Sequence, residues 1–147
     1  MVLKLHRYEE EVREIVERSQ KELLVEQQLQ ALETTWSRLL LHFEPYRHDP
    51  DLATISVSEH VMESLKEHIL ALQTLHASKY VQGHSSFLDA VTRWQTKLGK
   101  VDSVVSTWVE VQKRWAYLHA IFLTAADVRE QLPAEAKRFD GVHEEWK

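Results

Sequence analysis

The sequence predicts an all-α protein, an antiparallel bundle of long amphipathic helices with a short helical extension at its C-terminal end. Three observations carry this. Only 3 Gly and 3 Pro occur in 147 residues, too little punctuation for the many turns of a sandwich or barrel. Apolar residues recur at spacings of three and four over long stretches, the period of a helix face. Pro and Gly fall between those stretches, where helices end. Hydrophobic residues make up 44% and charged residues 28% of the chain, the balance of a globular protein rather than of a disordered one. The length suits one domain, so a single helical domain over residues 1–147 is expected.

The first segment, residues 1–46, is read as one helical element. Leu5, Tyr8, Val12, Ile15 and Ser19 lie on one face, and Leu29, Leu32, Trp36, Leu39 and Phe43 on another. The two sets are out of phase, which places a stutter or break between Ser19 and Leu29. Pro45 and Pro50 stop the helix, and residues 47–56 are expected to form a loop. Ser56 and Glu59 have the spacing of a capping box. The second helix follows over residues 57–79, with Met62, Leu65, Ile69 and Leu72 facing inward. Gly83 punctuates its end.

The third segment, residues 80–123, has the clearest pattern. Phe87, Val91, Trp94, Leu98, Val101, Val105, Trp108, Val111, Trp115, Leu118 and Phe122 keep one phase. Gly99 sits inside it at a cost of about 1 kcal/mol against Ala, so one long helix, or two collinear ones kinked at Gly99, is expected. Trp94, Trp108 and Trp115 on one seam imply a thick interior, where truncating Trp108 is expected to cost roughly 3–5 kcal/mol. Residues 124–147 read as short helices. Thr124 and Asp127 form a second capping box, and Pro133 is placed to open the last helix at its first position.

No catalytic constellation is visible. Gly83, Gly99 and Gly141 stand alone, so phosphate-cradling loops are absent. The chain has no Cys and therefore no thiolate metal site or disulfide. His60, His68 and His76 are eight residues apart, which sets neighbours about 80° apart on a helix, and solvated groups are the expectation. His143-Glu144-Glu145-Trp146-Lys147 lacks the second His of a zinc-binding helix. The net charge of −5 comes without a basic block, so neither nucleic acid nor an anionic membrane is an expected partner. The N-terminal residues lack the apolar core of a signal peptide, and no run is long enough for a membrane span. The tryptophan stripe is read as helix core rather than a stacking platform, because Lys and Arg are not interleaved with it.

The third segment resembles the start of the linker in dynein heavy chains. The resemblance rests on Trp94-Gln95 with Leu98, on Trp108-Val109-Glu110-Val111-Gln112-Lys113-Arg114-Trp115-Ala116-Tyr117-Leu118, and on Ile121-Phe122. It continues through Asp127 to Glu135, including Leu132-Pro133, and through Lys137-Arg138-Phe139-Asp140. The last part looks most like axonemal heavy chains of the outer-arm beta type. His119 departs from the pattern, where the family usually has Glu. The residues singled out as core and family motif are Trp94, Leu98, Trp108, Gln112, Trp115, Leu118, Phe122, Leu132, Pro133 and Phe139.

The resemblance implies a mechanical role. The tail would end in the first helices, and the linker, a lever across a ring of ATP-hydrolysing modules, would begin near the C-terminal end. It implies no catalysis, metal or cofactor in this segment. It implies partners in the rest of the heavy chain, with intermediate or light chains as further ones, and microtubules only through the parent chain. The implied location is cytoplasmic and cytoskeletal, in the axoneme of a cilium or flagellum. A spectrin-like helical spacer is the alternative, because length, spacing and interior tryptophans fit it, but it leaves the Gln131-Leu132-Pro133 run and the Trp108, Gln112, Trp115 pattern unexplained. An enzyme with its site on helices has no supporting residues.

Overall fold

The computed structural model describes residues 8–147. The expected helical start at Val2 and the seam position Leu5 lie outside them. The described residues form α1 (Glu9–Arg38), β1 (His42–Tyr46), β2 (Asp49–Ser56), α2 (Glu59–Ala77), α3 (Lys79–Gln82), α4 (Ser85–Thr124), α5 (Ala126–Gln131) and α6 (Pro133–Trp146). The helical class therefore holds, with one hairpin added. Where one domain is expected, the chain groups into two compact units: one of residues up to Leu40 with Glu59–Lys100, the other of Leu41–Ser58 with Val101–Lys147.

In the first unit, α1 runs unbroken through the stretch between Ser19 and Leu29. Glu9, Glu10 and Glu11 in its first turn oppose the positive end of the helix dipole, and Arg38 in its last turn opposes the negative end. Tyr8, Val12 and Ile15, the expected first seam, are exposed; the packed face comes later, at Val25, Leu29, Leu32 and Trp36. Those residues meet Leu65 and Leu72 of α2, Val81 of α3, and Val91 and Leu98 of α4 in one apolar cluster. Two side-chain bonds show the direction of packing. Trp36 Nε1–H donates to His68 Nδ1 at 3.0 Å, and the Tyr80 hydroxyl donates to Glu17 at 2.9 Å. As α1 advances from 17 to 36, its partners retreat from 80 to 68, so α1 is antiparallel to the α2–α3 stretch. His68, read from the sequence as a solvated group, is thus a half-buried acceptor for an indole.

The largest departure lies between α1 and α2. The helix ends at Arg38, and residues 42–46, expected as its last turns, form β1. Residues 49–56, expected as loop, form β2. The strands are antiparallel, pairing His42 with Ser56, Phe43 with Ile55, Glu44 with Thr54 and Pro45 with Ala53, and the register shifts between Pro45 and Tyr46. Pro lacks the N–H that a central strand needs, but a two-stranded ribbon has only edges, so Pro45 and Pro50 are admitted. Because Ser56 closes β2, it is not the cap of α2, which starts at Glu59.

The second expected capping box also fails. Thr124 is the last residue of α4, and its hydroxyl donates back to the Ala120 carbonyl. Ala125 precedes α5 without a side-chain cap. A hydroxyl that satisfies the carbonyl four residues behind it is unavailable to the next helix. Pro133 does open α6, as expected. Helix α4 continues through Gly99, where an added Cβ would meet nothing within 4 Å. Gly99→Ala is accordingly expected to raise stability by about 1 kcal/mol, or roughly 2–4 °C in the thermal midpoint. A lowered midpoint would show that the glycine is required.

Candidate interaction surface on the long helix

The residues expected as core and family motif, with their neighbours on the seam, divide into three groups. In the first unit, Leu98 is fully buried and Trp94 packs half-buried against the same cluster. In the second unit, Trp115, Phe122 and Phe139 are buried together with Leu52 and Ala136. Trp108, by contrast, is 45% exposed. The expectation that it lies in a thick interior is wrong, and its predicted cost of truncation falls with it. Val101, Val111 and Leu118 are exposed as well, as is Leu132 between α5 and α6. Periodicity identifies which residues share a helix face. It does not say whether a partner in the same chain covers that face.

The second unit is built on Trp115. Tyr46 of β1 lies 4.9 Å from it, centroid to centroid, and Trp146 of α6 stacks on it at 5.0 Å with 12° between the planes. The Tyr46 hydroxyl donates to the Ala116 carbonyl at 3.4 Å, and burial raises its pKa above the usual value. A two-stranded ribbon is marginal by itself, and these contacts anchor it to α4.

Gln112 anchors it further. Its Oε1 accepts from the Ile55 N–H at 2.8 Å, and its Nε2 donates to the Ile55 carbonyl at 3.0 Å. One side-chain amide thereby replaces a neighbouring strand along that edge of β2. Gln112 stands in the family motif of the sequence analysis, but nothing in its spacing signals this pairing. Gln112→Ala strips both Ile55 groups of their partner and is expected to cost about 1–3 kcal/mol. Urea unfolding measures it, and an unchanged midpoint would mean that water replaces the amide at no cost.

Beside this core, Ser103, Val104, Thr107, Trp108, Val111 and Trp146 line an open groove of about 370 Å3. Val101, Val104, Trp108 and Val111 repeat at three, four and three residues, so the exposed stripe has the spacing of a helix-packing seam. Its chemistry is apolar. Among the described residues there is no group of three or more His, Asp or Glu side chains placed to hold a metal ion, and no helix is long and apolar enough to cross a membrane. The arrangement suits the docking of an apolar helix face.

Comparison with known proteins agrees with the motif. The family model of the dynein heavy chain, N-terminal region 2, matches residues 1–147. The chain is 44% identical over 146 residues to the dynein beta chain of the flagellar outer arm of Chlamydomonas reinhardtii, which covers 99% of this chain. It is 39% identical over 147 residues to the ciliary dynein beta chain of Tripneustes gratilla, covering all of it. It is 43% identical over 145 residues to dynein axonemal heavy chain 17 of Homo sapiens, covering 99% of it. In each case the matched region is 3% of the relative's length. The chain belongs to the dynein heavy-chain family, in its N-terminal region 2.

Proposed function

We propose that this chain is a non-catalytic mechanical segment from the tail–linker junction of an axonemal dynein heavy chain of the outer-arm beta type. It helps to transmit the ATP-driven swing of the linker. ATP is bound and hydrolysed elsewhere in the heavy chain, and this segment works without a metal or cofactor of its own. It operates in the cytoskeleton, in the axoneme of a cilium or flagellum; the flagellar, ciliary and axonemal names of the relatives support that placement.

The observation that carries the mechanical reading is the exposed seam of Val101, Val104, Trp108 and Val111. A segment that passes force must be gripped by its neighbours, and close-packed apolar contacts transmit strain. The rest of the heavy chain is the partner that fits this seam, with intermediate or light chains as further neighbours. A net charge of −5 without a basic block disfavours direct contact with acidic surfaces, so microtubules are met only through the parent chain. The spectrin-like alternative has less support, because a β-hairpin stands between α1 and α2.

The test uses the whole heavy chain carrying Trp108→Asp together with Val104→Asp. Microtubule gliding is expected to slow, with more ATP hydrolysed per distance moved. Unchanged velocity would reject the seam as a force-bearing contact. The same changes in the 147-residue chain are expected to lower its thermal midpoint much less than Trp115→Ala does, because both side chains are largely exposed.

A further inference from the structure

The core of the second unit contains a polar anomaly. His119 is only 3% exposed, yet neither of its ring nitrogens has a hydrogen-bond partner. His143 Nδ1 and Trp115 Nε1 are buried and unpartnered as well. These groups are neighbours: the His119 ring lies 5.3 Å from His143 and 4.9 Å from Trp115, between centroids. Tyr46 meets His119 edge-on at 5.1 Å, and Phe139 does so at 6.4 Å. Native interiors pair nearly all their buried polar atoms, so four unpartnered nitrogens in one aromatic cluster need an account.

We propose that His119 is the trigger of a proton-operated latch, which holds α6 on α4 and the hairpin while the His119 imidazole is neutral and releases α6 when it takes up a proton. The inner face of α6 is Phe139, His143 and Trp146, at spacings of four and three. His143 stacks on Trp115 at 5.9 Å with 8° between planes, and Trp146 stacks beside it. The contacts are flat, aromatic and without hydrogen bonds from the ring nitrogens named above. A neutral imidazole fits among them and leaves one N–H unpaired. An imidazolium adds a second buried donor and a full charge, which is far costlier without an acceptor.

The charged and titratable groups around His119 do not supply one. From α6 it faces His143. From the hairpin it faces Tyr46, which is uncharged in this range, and the charges of His48 and Asp49 act on it. Burial, then His143, then His48 lower the His119 pKa below its usual 6.5; Asp49 acts in the opposite sense and is outweighed. A lowered folded-state pKa means that the unfolded or released form binds the proton more tightly. The latch is therefore fully closed above about pH 6.5 and weakens as pH falls from there toward the depressed folded value. Releasing α6 lets both imidazoles reach water. The Arg129–Asp140 ion pair at 2.6 Å joins α5 to α6, so the two short helices are expected to move together.

Hydrogen exchange of the 147-residue chain tests this, with rates corrected for the intrinsic effect of pH. Between about pH 7.5 and pH 5.5, protection over residues 133–146 is expected to fall severalfold, up to roughly tenfold, while protection over residues 59–77 holds. His119→Phe, which keeps an aromatic ring and removes the titration, is expected to abolish the fall. Should that variant not fold, His143→Gln together with direct NMR titration of the His119 ring replaces it. The fall is then reduced, and His119 titrates at the pH where α6 opens. Protection of α6 that is constant with pH, or an undiminished fall in the variants, overturns the proposal.

Discussion

Replacing Trp115 by alanine is expected to cost about 3–5 kcal/mol of folding stability, which for a chain of this size lowers the thermal midpoint by roughly 10 °C. Trp115 is 2% exposed and is packed by Leu52, Phe122 and Phe139. Its ring also carries Tyr46 on one side and Trp146 on another, so truncation leaves a cavity touched by the hairpin, α4 and α6 at once. Trp108 is the internal control. It has the same side chain, lies on the same helix and belongs to the same motif, but it is 45% exposed. Trp108→Ala is expected to cost well under half as much, because nearly half of its area stays in water and its truncation leaves no enclosed cavity. Trp115→Phe separates packing from polarity. It removes the unpartnered buried Nε1–H and keeps most of the ring, so its cost should fall well below that of alanine. Parallel urea unfolding of the three variants measures the order. Equal losses for Trp108→Ala and Trp115→Ala would contradict the two burial states.

The contrast between these tryptophans marks how far the sequence can be read. The helices were legible because their signal is local: low Gly and Pro, and apolar spacing of three and four. The start of α6 at Pro133 was legible for the same reason, since a missing N–H costs nothing at a first helical position. The hairpin was hidden by its own prolines. Pro45 and Pro50 are breakers in a helix and outcasts in a central strand, and only the two-edged ribbon in which they sit admits them. Phe43, Tyr46, Thr54 and Ile55 are the strand-favouring signal that remained, scattered singly or in one pair among residues that do not favour a strand, and a local reading weighs them below two prolines.

The candidate surface was legible in part. Val104 stands outside the predicted helix face, and the predicted Val105 is buried instead. Val101, Trp108 and Val111 stand on that face, so their mutual proximity followed from periodicity. Their exposure did not, because exposure depends on which other elements reach that face. The same gap explains Gln112 and His119. Each stands one residue past an expected seam position, and the strand carbonyl or the second imidazole beside it comes from residues distant in sequence. The motif that identifies the family therefore contains two kinds of residue. Trp115, Phe122 and Phe139 close the core of this segment. Trp108 and Val111 face outward.

Leu72→Ala is expected to have the other large effect, about 2–5 kcal/mol. Leu72 is 0% exposed and lies in the cluster formed with Leu32, Leu65, Val91 and Leu98. The Cγ and both Cδ carbons of a buried side chain are lost, and the surrounding helices close the void only in part. The helix supplies its own control two residues earlier. Leu70 is 63% exposed, because two residues turn an α-helix by about 200° and carry a side chain from the packed face to the opposite one. Leu70→Ala is expected to change stability by less than about 0.5 kcal/mol. Leu72→Asp should be far more damaging than Leu72→Ala, since it places a carboxylate among mostly apolar side chains. Thermal and urea unfolding of Leu70→Ala and Leu72→Ala side by side decide the matter. A loss at Leu70 comparable to that at Leu72 would mean that α2 presents a different face to α1 and α4 than the one described.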